Sequence, residues 1–206
     1  MSKLKICGIT SATFAVEAAK RGVDFLGFIF ASASPRRVTL EQAKEIIAAV
    51  RTAKTVDPPR FVGVFVEQSV EEIACIAADV GLDVIQLHGG YGAGSIAPLK
   101  SMGYAVWRLL ADDPADEDAI LLDGSDGQRR GGTGLRADWS AVPKLKSANR
   151  RVILAGGISA ANISAAAATG ADVIDVNSSI ETSPGEKSLS LLDGLLTAYR
   201  NQCLTA

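Results

Sequence analysis

Two residues of this sequence have the chemistry and the placement of a proton-transfer pair. Cys7 follows the alternating run Lys3-Leu4-Lys5-Ile6, and Asp123 closes the apolar run Ala119 to Leu122. Each therefore stands at the end of a predicted strand. A thiol can accept a proton and a carboxyl group can donate one, so the two could act as base and acid on one substrate. The alternatives are a buried core thiol for Cys7 and a helix cap or turn for Asp123.

Two later segments have the composition of a phosphate site. Gly156 and Gly157 lie between a predicted strand and a predicted helix that Ser159 could cap, and Ser178 and Ser179 follow the eighth predicted strand, where we expect a short helical turn. Loops after strands seven and eight of a barrel commonly bind phosphate through helix N-termini. A simple tight turn is the alternative for the glycine pair alone.

Three other residues are candidates for substrate binding. Arg36 follows Ser34-Pro35 after the second predicted strand, and its planar guanidinium could bind a carboxylate in a bidentate way; an ordinary solvated arginine is the alternative. His88, the only histidine, ends the fourth predicted strand and could line the pocket or be structural. Gly132 belongs to Gly131-Gly132-Thr133-Gly134, which indicates a flap with glycine hinges or else a disordered connector.

Lys5 shares a strand face with Cys7, because successive strand side chains point to opposite sides. An ammonium pointing into a barrel needs an anionic partner, and we expect Asp175 on the eighth strand to supply it. A cation beside the thiol would favour the thiolate and so lower the pKa of Cys7.

Strand and helix patterns alternate along the whole chain. The predicted strands cover 3–7, 24–30, 61–66, 83–87, 104–110, 119–123, 151–154 and 172–176, and the predicted helices cover 12–21, 39–51, 70–79, 96–102, 139–145, 160–169 and 188–200. Eight such units, about 26 residues each, predict a single α/β domain over 1–206, a (β/α)8 TIM barrel with minimal loops. Only about ten residues separate strands five and six, so the helix between them must be degenerate. A Rossmann fold is disfavoured because no G-x-G-x-x-G follows the first strand.

Composition excludes several classes of partner. The 206 residues carry 21 basic and 23 acidic side chains with no basic run, which argues against nucleic acid. No apolar run approaches the roughly 20 residues that span a membrane, and no signal peptide is evident. Three widely spaced cysteines fit neither a disulfide framework nor a zinc site, so we expect a cytoplasmic protein.

Taken in order, these stretches resemble the phosphoribosylanthranilate isomerase family of tryptophan biosynthesis. The resemblance rests on nine motifs across the chain: Lys5-Ile6-Cys7-Gly8-Ile9-Thr10, Leu26-Gly27-Phe28-Ile29-Phe30, Ser34-Pro35-Arg36, Phe61-Val62-Gly63-Val64-Phe65, Gln86-Leu87-His88-Gly89, Leu121-Leu122-Asp123, Gly131-Gly132-Thr133-Gly134, Leu154-Ala155-Gly156-Gly157-Ile158 and Pro184-Gly185-Glu186-Lys187. It implies a (β/α)8 barrel that performs an Amadori rearrangement of N-(5-phosphoribosyl)anthranilate without cofactor or metal.

The resemblance also implies a role for each candidate. Asp123 would be the general acid that protonates the furanose ring oxygen, and Cys7 the general base that removes a proton from the adjacent ribose carbon. Arg36 would position the anthranilate. The phosphate would be held by Gly156, Gly157, Ser178 and Ser179. The implied partner is this small phosphosugar-anthranilate, and a monomer is the default assembly, with a dimer as the alternative.

The sequence departs from the family pattern at two places and leaves other functions open. Asn177-Ser178-Ser179 lacks an expected glycine, and Lys187 is followed by Ser188 where aspartate is usual. The first departure bears on the phosphate contacts, and neither reaches Cys7 or Asp123. The alternatives are the related histidine-pathway isomerase, which uses aspartate in place of Cys7, a metal-dependent pentose-phosphate epimerase, and a phosphosugar-binding protein without turnover.

Overall fold

Eight parallel strands form a closed barrel in the computed structural model, which describes residues 2–113, 115–124 and 138–201. The strands are β1 Lys3–Ile6, β2 Phe25–Ile29, β3 Arg60–Phe65, β4 Val84–Leu87, β5 Ala105–Leu109, β6 Ala119–Leu122, β7 Val152–Leu154 and β8 Val173–Val176. Each strand pairs with the next in sequence, and β1 pairs with β8 to close the ring. The predicted (β/α)8 barrel is confirmed.

Helices cover the outside of the barrel. They are α1 Ala12–Lys20, α2 Leu40–Thr52, α3 Val70–Val80, α4 Ile96–Ser101, α5 Ala141–Ser147, α6 Ile163–Ala168 and α7 Leu189–Asn201. A capping box of Thr39 and Gln42 opens α2, and Ser69 with Glu72 forms a second one at α3. Within the described ranges, the chain forms no helix long and apolar enough to cross a bilayer.

Strand alternation divides the apolar residues into two cores. Leu4 and Ile6 point outward into the layer between the sheet and the helices, whereas the inward-facing side chains fill the barrel. The bottom of the interior is closed by Phe25 and Trp107, whose rings meet edge to face with centroids 5.0 Å apart. This apolar floor leaves the chemistry-bearing side chains at the opposite, carboxyl ends of the strands.

An ion network takes the place of the helix between β5 and β6. Neither 110–113 nor 115–118 contains a helix, as predicted. On the outer face of β5, Arg108 donates to the Asp113 side chain at 2.7 Å and pairs with Glu117 at 3.1 Å. Glu117 also pairs with Arg150, which precedes β7. Arg108 and Glu117 are buried, so this network covers sheet surface that a helix would otherwise cover.

One local prediction was wrong, and one element was not predicted. The helix predicted over 160–169 begins only at Ile163, because the side chain of Asn162 accepts a hydrogen bond from the Ser159 amide at 2.8 Å and holds the preceding residues in a turn. Ser159 therefore does not cap the helix. After β8 the chain forms an antiparallel hairpin that the sequence patterns did not predict, made of β9, Glu181–Ser183, and β10, Glu186–Lys187.

The hairpin lies over the carboxyl end of the barrel. Its turn contains Gly185 at φ +91°, and the Gly185 carbonyl accepts a hydrogen bond from Thr10 Oγ1 at 2.6 Å. A Cβ at Gly185 would lie 3.4 Å from the carbonyl oxygen of Pro35. The hairpin thus contacts the loops that follow β1 and β2, which carry Cys7 and Arg36.

Replacing Glu117 tests the ion network. We expect Glu117→Gln to lower the free energy of unfolding by about 1.5–3 kcal/mol, because the buried Arg108 guanidinium then keeps only the Asp113 carboxylate, which is 47% exposed. Urea denaturation measures the change. Lys44→Met is the matched control: its pair with Asp79 is 43% and 48% exposed, so we expect a loss of about 1 kcal/mol or less. Equal losses in the two variants would contradict a structural role for the network.

Candidate active site

A ring of polar side chains lies above the apolar floor of the barrel. β1 contributes Lys5 and is followed by Cys7, β8 contributes Asp175, and His88 and Asp123 follow β4 and β6. All five are at least partly buried. The structure therefore brings the predicted base and the predicted acid to the same end of the barrel, with a histidine and an ion pair among them.

Lys5 and Asp175 form the predicted ion pair. Their β-strand register places the two residues opposite each other, and Lys5 Nζ lies 2.6 Å from Asp175 Oδ2. The side chains are 0% and 6% exposed. Burial alone would lower the pKa of Lys5, but the nearby Asp175 carboxylate and Cys7 outweigh it and hold that pKa above its ordinary value. The second carboxylate oxygen, Asp175 Oδ1, has no hydrogen-bond partner in the described part of the chain.

The pKa of the Cys7 thiol is raised, against the sequence prediction. Burial disfavours the thiolate and is the dominant cause, while the positive charges of Lys5 and Lys187 act in the opposite direction. The expected influence of Lys5 is therefore present but smaller than the desolvation of the thiol. Gly27 on the neighbouring strand makes room for this arrangement, since a Cβ there would lie 3.0 Å from Cys7 Sγ and 3.1 Å from Lys5 Cε.

His88 lies beside Asp123. The distance from His88 Nε2 to Asp123 Oδ2 is 3.5 Å. Burial lowers the pKa of His88 despite the attraction of the Asp123 carboxylate, so the imidazole is neutral at neutral pH. Gly156 approaches Asp123 from β7: its φ is +84°, and a Cβ there would lie 2.9 Å from Asp123 Oδ1 and 2.3 Å from the Gly124 amide nitrogen. The positive φ and the lack of space for a Cβ each require a glycine at this position.

The two predicted phosphate loops lie on neighbouring strands. The backbone amides of Gly156 and Gly157 have no acceptor among the described residues, and Asn162 Nδ2 fixes the loop by donating to the Gly157 carbonyl at 2.9 Å. Ser178 and Ser179 belong to the predicted helical turn after β8, which is a single 3-10 turn. Ser179 Oγ is buried and has no partner in the described chain. The loops thus offer donors that protein groups do not occupy.

Arg36 is not a solvated arginine. Its Nε lies 2.9 Å from Glu181 Oε1 and its Nη2 lies 2.7 Å from Glu181 Oε2. Lys187 Nζ donates to the same carboxylate at 2.7 Å and to Asn177 Oδ1 at 2.8 Å. These contacts raise the pKa of Arg36, whereas burial lowers that of Lys187. The hairpin therefore connects the Arg36 loop to the end of β8.

Sequence reasoning did not identify Glu181 and Lys187 as site residues. The only local signal is a pair of opposite charges that flank the turn Pro184-Gly185, and such pairs are common on exposed hairpins. Gly132 and the rest of the predicted flap lie outside the described residues, so their place relative to the site stays a prediction.

Comparison with known proteins gives consistent matches over almost the whole chain. The family model described as N-(5'phosphoribosyl)anthranilate (PRA) isomerase matches residues 4–198. The N-(5'-phosphoribosyl)anthranilate isomerase of Granulibacter bethesdensis is 35% identical over 98% of this chain and 99% of its own length.

Solved structures agree with this result. The crystal structure of phosphoribosyl anthranilate isomerase from Thermus thermophilus has a TM-score of 0.83 and 32% identity, and the match covers 97% of this chain and 98% of that one. A second isomerase structure, in complex with reduced 1-(o-carboxyphenylamino)-1-deoxyribulose 5-phosphate, has a TM-score of 0.78 and 25% identity, with 98% and 100% covered.

Removing one member of the buried ion pair should destabilise the fold more than removing both. We expect Lys5→Met to lower the free energy of unfolding by about 3–5 kcal/mol, because Asp175 would remain buried without a cation. Adding Asp175→Leu should recover most of that loss, since the double variant buries no unpaired charge. Urea unfolding of the two variants measures the difference. A double variant no more stable than Lys5→Met would show that the pair does not act as a unit.

The titration of Cys7 tests the balance between burial and charge. We expect a thiol pKa above the value of about 8.5 for free cysteine, and a further rise in Lys187→Met, which removes a cation that favours the thiolate. The measurement is ultraviolet thiolate absorbance against pH, with Cys7→Ser subtracted to remove the other cysteines. A Cys7 pKa below that of free cysteine would mean that the cations outweigh burial.

Proposed function

The chain belongs to the N-(5'-phosphoribosyl)anthranilate isomerase family, and from this membership we propose that it catalyses the Amadori rearrangement of N-(5-phosphoribosyl)anthranilate in L-tryptophan biosynthesis, with Asp123 as acid and Cys7 as base. The observation that carries the assignment of residues is their placement. Cys7 and Asp123 follow β1 and β6, three strands apart around the ring, and both sit at its carboxyl end. A substrate between them would meet an acid and a base on different sides.

Asp123 performs the first step of this proposal. Its carboxyl group protonates the furanose ring oxygen, the bond from that oxygen to the anomeric carbon breaks, and the open chain is a protonated Schiff base with the anthranilate nitrogen. The carboxylate that remains lies 3.5 Å from His88 Nε2. Burial lowers the pKa of His88, so the imidazole is neutral and places no fixed positive charge beside the acid.

Cys7 performs the second step. The thiolate removes the proton from the ribose carbon next to the Schiff base, and the electron pair of that bond neutralises the nitrogen to give an enolamine. The enolamine then tautomerises to the ketone. A thiol with a raised pKa is a stronger base once it is deprotonated, and Lys5 and Lys187 favour the deprotonated form by their charge. Burial therefore increases the basicity of the Cys7 thiolate, whereas the two lysines increase the fraction of Cys7 that is deprotonated.

The remaining candidates bind the substrate. Arg36 takes the anthranilate carboxylate, and His88 lines the pocket beside the acid. The phosphate is received by Gly156, Gly157, Ser178 and Ser179. This role is supported by the glycine amides and by the Ser179 hydroxyl, which have no partner in the described part of the chain. We also assign Gly132, in the predicted flap, to substrate binding, on the family resemblance alone. The reaction takes its acid and base from the chain itself, and the proposal includes no cofactor or metal.

We also propose a domain organisation, an oligomeric state and a cellular location. Residues 1–206 act as one domain, which the pairing of β1 with β8 supports, because it joins the two ends of the chain. All of the assigned site residues come from one chain, so a monomer suffices, although a solved relative from Thermotoga maritima is described as dimeric. A cytoplasmic location is supported by the base thiol, which must stay reduced to act.

Turnover of the substrate tests both the activity and the two residues. Purified protein mixed with phosphoribosylanthranilate made in situ should remove the anthranilate-type fluorescence of the substrate. We expect Cys7→Ser and Asp123→Asn each to lower kcat on the order of 100-fold or more, the usual contribution of a positioned acid or base. Cys75→Ser, at an exposed cysteine outside the site, is the control and should keep normal turnover.

The outcomes separate the parts of the proposal. No catalysed fluorescence loss in the unsubstituted protein would reject the isomerase assignment in favour of a phosphosugar-binding protein. Normal kcat in Cys7→Ser or in Asp123→Asn would reject the role of that residue alone.

A further inference from the structure

The guanidinium of Arg36 is held along only one of its edges. Glu181 accepts hydrogen bonds from Nε at 2.9 Å and from Nη2 at 2.7 Å, while Nη1 has no partner among the described residues. A guanidinium has five N–H groups in a plane and can bind carboxylates bidentately along more than one edge. The edge formed by Nη1 and the second N–H of Nη2 is therefore free for a second carboxylate.

The charge of Glu181 is balanced by a residue other than Arg36. Lys187 Nζ lies 2.7 Å from Glu181 Oε1 and also donates to the carbonyl and side chain of Asn177 at 2.9 and 2.8 Å. The side chains of Glu181 and Lys187 are 4% and 1% exposed. Two cations thus share one carboxylate, which leaves one positive charge in the cluster. Of the three side chains that of Arg36 is the most exposed, at 12%, so this charge is most accessible on Arg36.

The Arg36 side chain lies next to the segment that carries Cys7, the proposed base. Gly8 follows Cys7 with φ +71°, and a Cβ at Gly8 would lie 2.8 Å from Arg36 Cδ and 2.9 Å from Asn177 Oδ1. The aliphatic part of Arg36 therefore crosses directly over Gly8. A ligand carboxylate on the free edge of Arg36 would lie on the same side of the barrel as the thiol.

We propose that Glu181 is a positioning residue for substrate carboxylate binding: it fixes the Arg36 guanidinium with one edge free, and Lys187 neutralises it so that Arg36 keeps its attraction for the ligand. The inference rests on the proposed function, which assigns the anthranilate carboxylate to Arg36. The opposite arrangement, in which Glu181 competes with the ligand for Arg36, predicts tighter binding when Glu181 is neutralised.

Two ligands that differ only in the carboxylate give the test. The first is reduced 1-(o-carboxyphenylamino)-1-deoxyribulose 5-phosphate, the molecule bound in the related isomerase, and the second is its phenylamino counterpart without the carboxyl group. Titration calorimetry measures both dissociation constants. We expect Glu181→Gln to weaken the first about tenfold, because a charge-assisted bidentate contact is misaligned, and to change the second less than about twofold.

Glu186→Gln is the matched control. Glu186 lies in the same hairpin but is exposed, and among the described residues its side chain accepts hydrogen bonds only from Ser183 and Thr182, so both dissociation constants should stay unchanged. Equal weakening of both ligands by Glu181→Gln, no weakening of either, or tighter binding of the carboxylated ligand would each overturn the proposal. Should Glu181→Gln not fold, Glu181→Asp replaces it: the carboxylate is kept but withdrawn from Arg36, and the same selective weakening is expected.

Arg36→Met separates this inference from the proposed function. If Arg36 binds the carboxylate, Arg36→Met must weaken the carboxylated ligand selectively. Selective weakening in Arg36→Met without any in the Glu181 variant would reject Glu181 as a positioning residue and keep the role of Arg36. No selective weakening in Arg36→Met would reject the role of Arg36 itself, and with it the proposal for Glu181.

Discussion

The pairing of β1 with β8 is the constraint on which the site depends. It closes the barrel and sets Lys5 opposite Asp175, where neither charge can reach bulk water. A buried ion pair contributes little net stability compared with apolar residues, but either member alone would be an uncompensated buried charge. Closing the barrel in this register therefore requires both charges or neither, and the closure carries Cys7 to the carboxyl end of the strands.

Burial sets the character of the two protonation sites near this pair. It raises the pKa of the Cys7 thiol and lowers that of His88, so both groups are shifted toward their neutral forms. Lys5 and Lys187 act against burial at the thiol without overcoming it. A thiol that is neutral at rest and strongly basic when ionised suits the role proposed for Cys7, and a neutral imidazole places no fixed charge beside Asp123, the proposed acid.

The hairpin after β8 joins the parts of the site that the strands alone do not connect. Glu181 holds Arg36 from the loop after β2, and Lys187 holds the end of β8 through Asn177. The turn at Gly185 rests on Thr10, which follows β1. Arg36, the proposed carboxylate ligand, and the ends of three strands are thus connected through one short segment. On the outer face of the barrel, a buried ion network around Arg108 likewise replaces a larger element, because it covers the sheet where the helix between β5 and β6 is missing.

The sequence alone determined the order of the eight barrel strands and their helices, the barrel, the missing helix between β5 and β6, and the placement of Cys7 and Asp123 at strand ends. These follow from periodicity and from alternation, which are local properties of a chain. The Lys5–Asp175 pair followed from alternation together with closure of the barrel, which sets β1 beside β8. Tertiary structure decided that Arg36 pairs with Glu181, 145 residues away, and that the pKa of Cys7 is raised. Both depend on distances between remote segments and on how completely they exclude water, and neither quantity has a signature in local sequence.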